Sequence, residues 1–281
     1  MKKYCTIVLL LCFIHTQAQE LYVYTEPASV VPARSLAIRL GASYNLDRIH
    51  TDRVTQRYTP ELAWGISKKL MLRAGASFAD MHTRSFGWDA AYAYAQYRFL
   101  SVDGVHRHFR AAVFAKAAHS RNPFHYDEVS LVDKSGVTAG LVATALAHKT
   151  AVSVSVSNTQ VLGKARTSKV LYIPERNFQA LNYTLSAGYL LLPRQYTDYR
   201  QTNLNLYAEL LAQQTLDRKT HYIDLAPSVQ LIFNSISKLN IGYRFQLSGN
   251  MVRMAERSLL VSYEYTFLNA IKKKKRHAAH D

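Results

Sequence analysis

What this sequence lacks narrows the problem first. Its only two cysteines, Cys5 and Cys12, fall in the first dozen residues. If that segment is removed, the remainder has neither thiol nor disulfide and must hold together without covalent staples. No apolar run after residue 20 is long enough for a membrane-crossing helix, which needs about 20 residues. Proline is scarce, with 7 in 281 residues, and no Pro/Ser-rich linker divides the chain. Acidic residues are outnumbered, 19 against 35 Lys and Arg, for a formal charge of +16. Lysine is nearly missing from the polar face of every alternating segment, Lys116 excepted, although soluble sheets use it freely there.

The first residues, MKKYCTIVLLLCFIHTQAQE, combine two lysines, an apolar run near Thr6–Ile14 and a small-residue stretch ending at Ala18. That is the layout of a cleaved secretory signal over residues 1–19. The run is too short for an anchor. Leu11 stands where a lipoprotein signal would place a small residue ahead of Cys12. An exported chain has no nucleic acid to meet, so its positive charge points to anionic lipid.

From Ser35 onward the dominant pattern has period two, which sends alternate side chains to opposite faces of a strand. Leu36, Ile38, Leu40, Ala42 and Tyr44 alternate with Ala37, Arg39, Gly41 and Ser43. Val152, Val154 and Val156 alternate with three serines, and Leu259, Val261, Tyr263, Tyr265 and Phe267 alternate with Leu260, Ser262, Glu264 and Thr266. The pattern predicts about twelve strands, within a range of roughly ten to fourteen, and no helix after the signal. Connections near 67–69, 148–150 and 234–238 are short, whereas those near 45–56, 119–135 and 162–177 are long. The connection at 193–202 is long on the short side.

Alternation alone cannot say whether the apolar face meets a core or lipid, since a soluble sandwich or lipocalin-type barrel gives the same pattern with faces reversed. Strands of about ten residues match a tilted span of hydrocarbon. Four arginines, Arg39, Arg73, Arg110 and Arg244, share the polar face. On a lipid face each would cost about 2–4 kcal/mol, on the order of 10 together, as much as a domain's whole stability. That face therefore lines the lumen. With a periplasmic N-terminus, Trp64, Phe99, Phe109, Tyr189, Phe233 and Phe267 all fall near the periplasmic boundary, as an aromatic girdle does.

A last strand closing on Tyr263, Tyr265 and Phe267 resembles the C-terminal insertion signal of bacterial outer-membrane β-barrels. The resemblance implies insertion by the barrel-assembly machinery. Such proteins commonly end at the aromatic, and here a tail follows it, with the basic run Lys272–Arg276. The signal ending in QAQ and the lead-in ELYVYTEPASVVPAR resemble uncharacterised outer-membrane proteins of Bacteroidota. The expected organisation is a signal at 1–19, a periplasmic lead-in at 20–34, one antiparallel transmembrane barrel at 35–268 and a basic periplasmic tail at 269–281. Leu21–Tyr24 resembles a TonB box, but the transporters that carry one need about 22 strands and a plug domain. A periplasmic strand or tether is the plainer expectation.

Around the closed sheet the lumen face offers Glu209, Asp224, Arg244, Glu264, Arg39, Glu61 and Arg73 on successive strands, alternating in sign from Asp224. Paired across strands, these form either a charged constriction that selects solutes or a salt-bridged filling of a narrow barrel. Arg98, Arg110 and Lys116 form a basic arc beside them. The turn residues Lys68, Lys69, Arg107, His148, Lys149 and Lys238 are expected to face lipid head groups with the tail. Asp and His collect at the expected extracellular ends of the strands and their connections: His50, Asp52, Asp80, His82, Asp89, His119, His125, Asp127, Asp217 and His221. A protease- or lipase-like site at the rim is the runner-up function they suggest. A soluble periplasmic ligand-binding sandwich is the third. The leading expectation is a passive pore or a structural or binding barrel in the outer membrane, without cofactor, metal or enzymatic activity, meeting lipid and a small solute.

Overall fold

The computed structural model describes residues 22–47, 52–81, 85–105, 107–121, 126–162, 178–195, 198, 200–216 and 219–271. The expected signal (1–19) and the basic run Lys272–Arg276 lie outside these residues, as do His50, His82, His125 and Asp217.

Twelve strands alternate up and down: β1 (Leu36–Asn45), β2 (Thr55–Gly65), β3 (Leu70–Ala79), β4 (Gly87–Asp103), β5 (Arg107–Ser120), β6 (Gly136–Ala147), β7 (Thr150–Val161), β8 (Gln179–Leu192), β9 (Asn203–Thr215), β10 (His221–Phe233), β11 (Ser237–Gly249) and β12 (Arg257–Phe267). Each pairs antiparallel with its sequence neighbours, and β1 closes the sheet against β12 from Leu36↔Phe267 to Asn45↔Ser258. Closure leaves no strand edge unpaired, which a chain crossing hydrocarbon requires because lipid offers its amides no partner. No helix among the described residues is long and apolar enough to cross a membrane.

The two periods of each strand sort cleanly. Ile38, Leu40, Leu62, Leu72, Leu141, Val154, Leu185, Ile241 and Tyr263 are exposed on the outside, while Arg73, Gln96, Glu209, Gln213, Asp224, Gln230 and Glu264 are buried within. This is a barrel turned apolar side out, whose band of apolar side chains suits lipid rather than water.

Two prolines sit inside strands at tolerable places. Pro60 leaves a break in the β2–β3 register between Tyr58 and Glu61, and Pro227 leaves one in β10–β11 between Leu225 and Ser228. A residue without an N–H interrupts the ladder on one side only, and the other side of each proline stays paired, with Leu40 and with Ala208.

The short connections gather at the end where β1 begins and most of the long ones at the other, the 193–202 connection between β8 and β9 being long at the short end and the 216–220 connection between β9 and β10 short at the long end. The segment expected as a periplasmic lead-in is elsewhere: residues 22–34 run inside the sheet. Tyr22 and Val23 pack with Ala151, Tyr207 and Leu146, and Val30 and Val31 pack with Ala37, Ala63, Met71 and Tyr94. Two glycines make room. A Cβ on Gly65 would lie 2.1 Å from the Pro32 carbonyl oxygen, and one on Gly242 would lie 2.5 Å from the ring of Tyr24. The lead-in shows no alternation, so its sequence carries no sign of which side of the wall it occupies.

Candidate functional site

The lumen begins with a carboxylate that holds backbone. Glu209, fully buried on β9, accepts hydrogen bonds from the amides of Val23 (2.9 Å), Tyr24 (3.1 Å) and Thr25 (2.8 Å). The Thr25 hydroxyl adds a fourth at 2.7 Å and lies 2.8 Å from Ser186 Oγ. A buried ionised carboxylate needs several donors, and an irregular segment needs acceptors for its amides, so each answers the other's requirement. Further along, Glu26 forms an ion pair with Arg73, the Ala28 amide donates to Thr144 Oγ1 (2.9 Å), and Gln96 Nε2 donates to the carbonyls of Pro27 (2.8 Å) and Ser29 (3.2 Å). The segment is thus fastened to β3, β4, β6, β8 and β9, around most of the circumference.

Beside it, and joined to it through Glu26 and Arg73, lies the first charge cluster. Arg39 stands directly across from Glu264 on one side and Glu61 on the other, at 2.9 Å and 3.6 Å. Arg73 reaches Glu61 at 3.9 Å, and Tyr92 Oη donates to Glu61. Lys238, expected as a basic turn residue facing lipid head groups, is instead buried inside and bonded to Glu264 at 3.0 Å. The register explains this, since β11 begins at Ser237 and sets Lys238 opposite Glu264.

That same register divides the expected ladder. Arg244 is paired with Ser258, six residues along β12 from Glu264, so the two do not meet. Arg244 belongs to a second cluster, where Asp224 accepts from it at 2.5 Å and from both terminal nitrogens of Arg253 at 2.8 Å. Glu128 completes the group, 3.4 Å from Arg253 and 3.7 Å from Arg244. Burial works against the Arg253 charge, but Glu128 and Asp224 outweigh it and hold the guanidinium above its ordinary range. Nearby, Arg57 joins Asp89 at 2.9 Å and Asp133 at 2.5 Å. Arg253, Glu128, Arg57 and Asp133 were not singled out from sequence, and all but Arg57 lie in connections where alternation says nothing.

The three members of the basic arc are engaged separately. Arg98 donates to the Lys68 carbonyl (2.6 Å), Arg110 to Asp103 (2.9 Å) and Ser29 (3.2 Å), and Lys116 lies 4.2 Å from the centre of the Tyr92 ring. Opposite the charged wall, β6, β7 and β8 present hydroxyls bonded to one another, as in Thr138 with Thr159 (2.7 Å), Thr144 with Ser153 (2.9 Å) and Ser155 with Thr184 (2.6 Å). The Ser/Val alternation of β7 is the sequence signal for that wall.

At the long-connection end, two loops fold inward. Gln213 grips Val129 at both its amide (2.8 Å) and its carbonyl (3.0 Å), and Asp127 accepts from the Val252 amide (3.1 Å). Between these loops and Tyr24 lies a cavity of about 230 Å³ lined by Arg57, Glu128, Arg244 and Arg253.

Of the rim acids, Asp80 is paired with Arg53, Asp89 with Arg57 and Asp127 with backbone. His119 lies beside Trp88, ring centres 6.4 Å apart. Among the described residues no group of three or more His, Cys, Asp or Glu could hold a metal ion. Trp64, Phe99, Phe109, Tyr189 and Phe267 are exposed and Phe233 is half-buried, all toward the short-connection ends of their strands.

Neither a protein-family model nor a curated protein matches this sequence. Solved structures do. An outer-membrane channel from Pseudomonas putida F1 is 12% identical with a TM-score of 0.55, the match covering 88% of this chain and 100% of that one. KdgM porin is 11% identical (TM-score 0.46, 82% and 99% covered), and outer membrane phospholipase A from Escherichia coli is 10% identical (0.44, 89% and 93%). At such identities a likeness speaks for fold alone, and the first carries it: this chain has the fold of bacterial outer-membrane β-barrels.

Proposed function

We propose that this protein is an outer-membrane channel of Gram-negative type, held closed in its ground state by its own N-terminal segment. It reaches the membrane after removal of the signal at 1–19 and is inserted by the barrel-assembly machinery. Its short turns, aromatic girdle and tail are periplasmic and its long loops extracellular. The observation that carries the reading is the Glu209 carboxylate, which takes three consecutive amides of the segment deep inside the sheet. A tether with no role in the lumen has no reason to find a buried, fully desolvated acceptor there. The Arg39, Glu61, Glu264, Lys238 and Arg73 cluster is the charged part of the passage, exposed to solute once the segment leaves. An outer-membrane channel with this fold is consistent with that role.

Conductance in planar bilayers tests it. The refolded full-length mature chain is expected to be electrically quiet, whereas a variant lacking residues 22–31 and a Glu209→Ala variant show steady single-channel steps. Heat-modifiable migration in unboiled gels reports that each variant is still a barrel. Equal conductance in wild type and deletion variant would overturn the reading.

A further inference from the structure

The cavity above the N-terminal segment has no part in holding that segment, yet it is built from charged groups in fixed positions. It measures about 230 Å³, enough for on the order of eight waters or more, and its lining includes Tyr24, Arg57, Glu128, Arg244, Arg253 and Ser258. Tyr24 belongs to the segment, Glu128 and Arg253 to the two inward-folded loops, and Arg57, Arg244 and Ser258 to the wall. Three separate parts of the chain thus converge on one space near the long-connection end of the sheet.

Its chemistry is restrictive. All three arginines are already neutralised: Arg57 by Asp89 and Asp133, Arg244 and Arg253 by Asp224 and Glu128. Four carboxylates serve these three arginines and Glu256 lines the cavity too, so an anionic solute would meet excess negative charge and would have to break one of these pairs, and separating a desolvated ion pair costs several kcal/mol. The donor capacity is not exhausted, however. Tyr24 Oη, Arg57 Nε and Arg244 Nη2 are buried with no hydrogen-bond partner among the described residues. Leaving such groups unsatisfied costs about 1–3 kcal/mol each, so a ligand oxygen reached by a small side-chain adjustment is favoured there. Carboxylates such as Glu128 retain lone pairs that accept from a hydroxyl. Donors without acceptors, acceptors with room and no unmatched cation together describe the complement of a polyol rather than of an anion.

We propose that this vestibule binds a neutral, polyhydroxylated solute of monosaccharide size, presented from the loop side and resting on Tyr24. Hydroxyl oxygens accept from the arginine and tyrosine donors, and hydroxyl hydrogens go to the carboxylates. Because Tyr24 is both floor of the vestibule and part of the segment clasped by Glu209, occupancy favours the seated segment. By reciprocity, unseating the segment weakens solute binding by the same factor. The site depends on the closed-channel reading only through that floor.

Isothermal titration of the refolded full-length protein in detergent tests it, with glucose, xylose and myo-inositol as probes, and acetate and ethanolamine as charged controls. Saturable binding of at least one of the three polyols is expected, with neither control binding. Ser258→Trp, which fills the cavity from the wall, should abolish it, and Tyr24→Ala should weaken it about tenfold. Binding of acetate or ethanolamine alone, no saturable polyol binding, or polyol binding indifferent to Ser258→Trp would each overturn the proposal. Polyol binding that is lost in Ser258→Trp, found in a wild type that already conducts fully, would instead overturn the closed-channel reading and leave this site standing.

Discussion

The ring of Tyr24 occupies the space that a Cβ on Gly242 would need, 2.5 Å from where that atom would stand. A strand glycine facing the lumen is ordinarily a loss of packing and of backbone order. Here it lets the Tyr24 ring of the N-terminal segment come up against β11, so one wall position bears on whether the segment seats.

Gly242→Val is therefore expected to leave the barrel assembled but displace Tyr24, and steps absent from wild type should appear in bilayer recordings. Gly65→Ala should act more strongly, because there the obstacle is the backbone at Pro32 and Val31, which has no rotamer to swing away. Silent channels in both variants would show that these glycines do not govern seating.

The two sides of the first charge cluster are unequal. Glu264 serves both Arg39 and Lys238, so Glu264→Leu takes a carboxylate from two cations, of which Arg39 keeps Glu61, and should cost about 3–5 kcal/mol, whereas Lys238→Met leaves Glu264 with Arg39 and should cost clearly less. Urea unfolding midpoints in a refolding-competent detergent rank the two. The reverse order would mean the cluster is not organised around Glu264.

Once the segment is removed, the same groups are expected to face passing ions. In the variant lacking residues 22–31, Glu264→Ala should shift selectivity toward anions and Arg39→Ala toward cations, read as opposite displacements of the reversal potential across a salt gradient. Identical displacements would place the narrowest point elsewhere in the lumen.

Gln213 copies a strand partner for Val129, taking both its amide and its carbonyl. Gln213→Leu removes both of these and its bond to Asn182 Oδ1, at about 1–3 kcal/mol for the stranded groups. Limited proteolysis should then cut within residues 126–134 at a protease dose that spares wild type.

The outward face is subject to a simple check. Leu185→Arg places a charge midway along β8 on the exposed apolar side, where a bilayer makes it cost about 2–4 kcal/mol, while Leu185→Met should be nearly silent. Folding yields into lipid vesicles distinguish the two, and equal yields would argue against lipid on that face.

The period-two alternation of apolar and polar residues already contained all twelve strands, the division of faces and the short and long ends, because a strand of period two reports its environment at every second residue. The alternation in sign from Asp224 was visible too, but not that Arg244 and Glu264 stand apart or that Lys238 turns inward. Those depend on the stagger between neighbouring strands, which no single strand encodes. Residues 22–34 and the loops that carry Glu128 and Arg253 have no periodicity, so their path inside the barrel was decided only by tertiary structure. Their amides needed acceptors, and the closed wall supplied them at Glu209, Thr144 and Gln213.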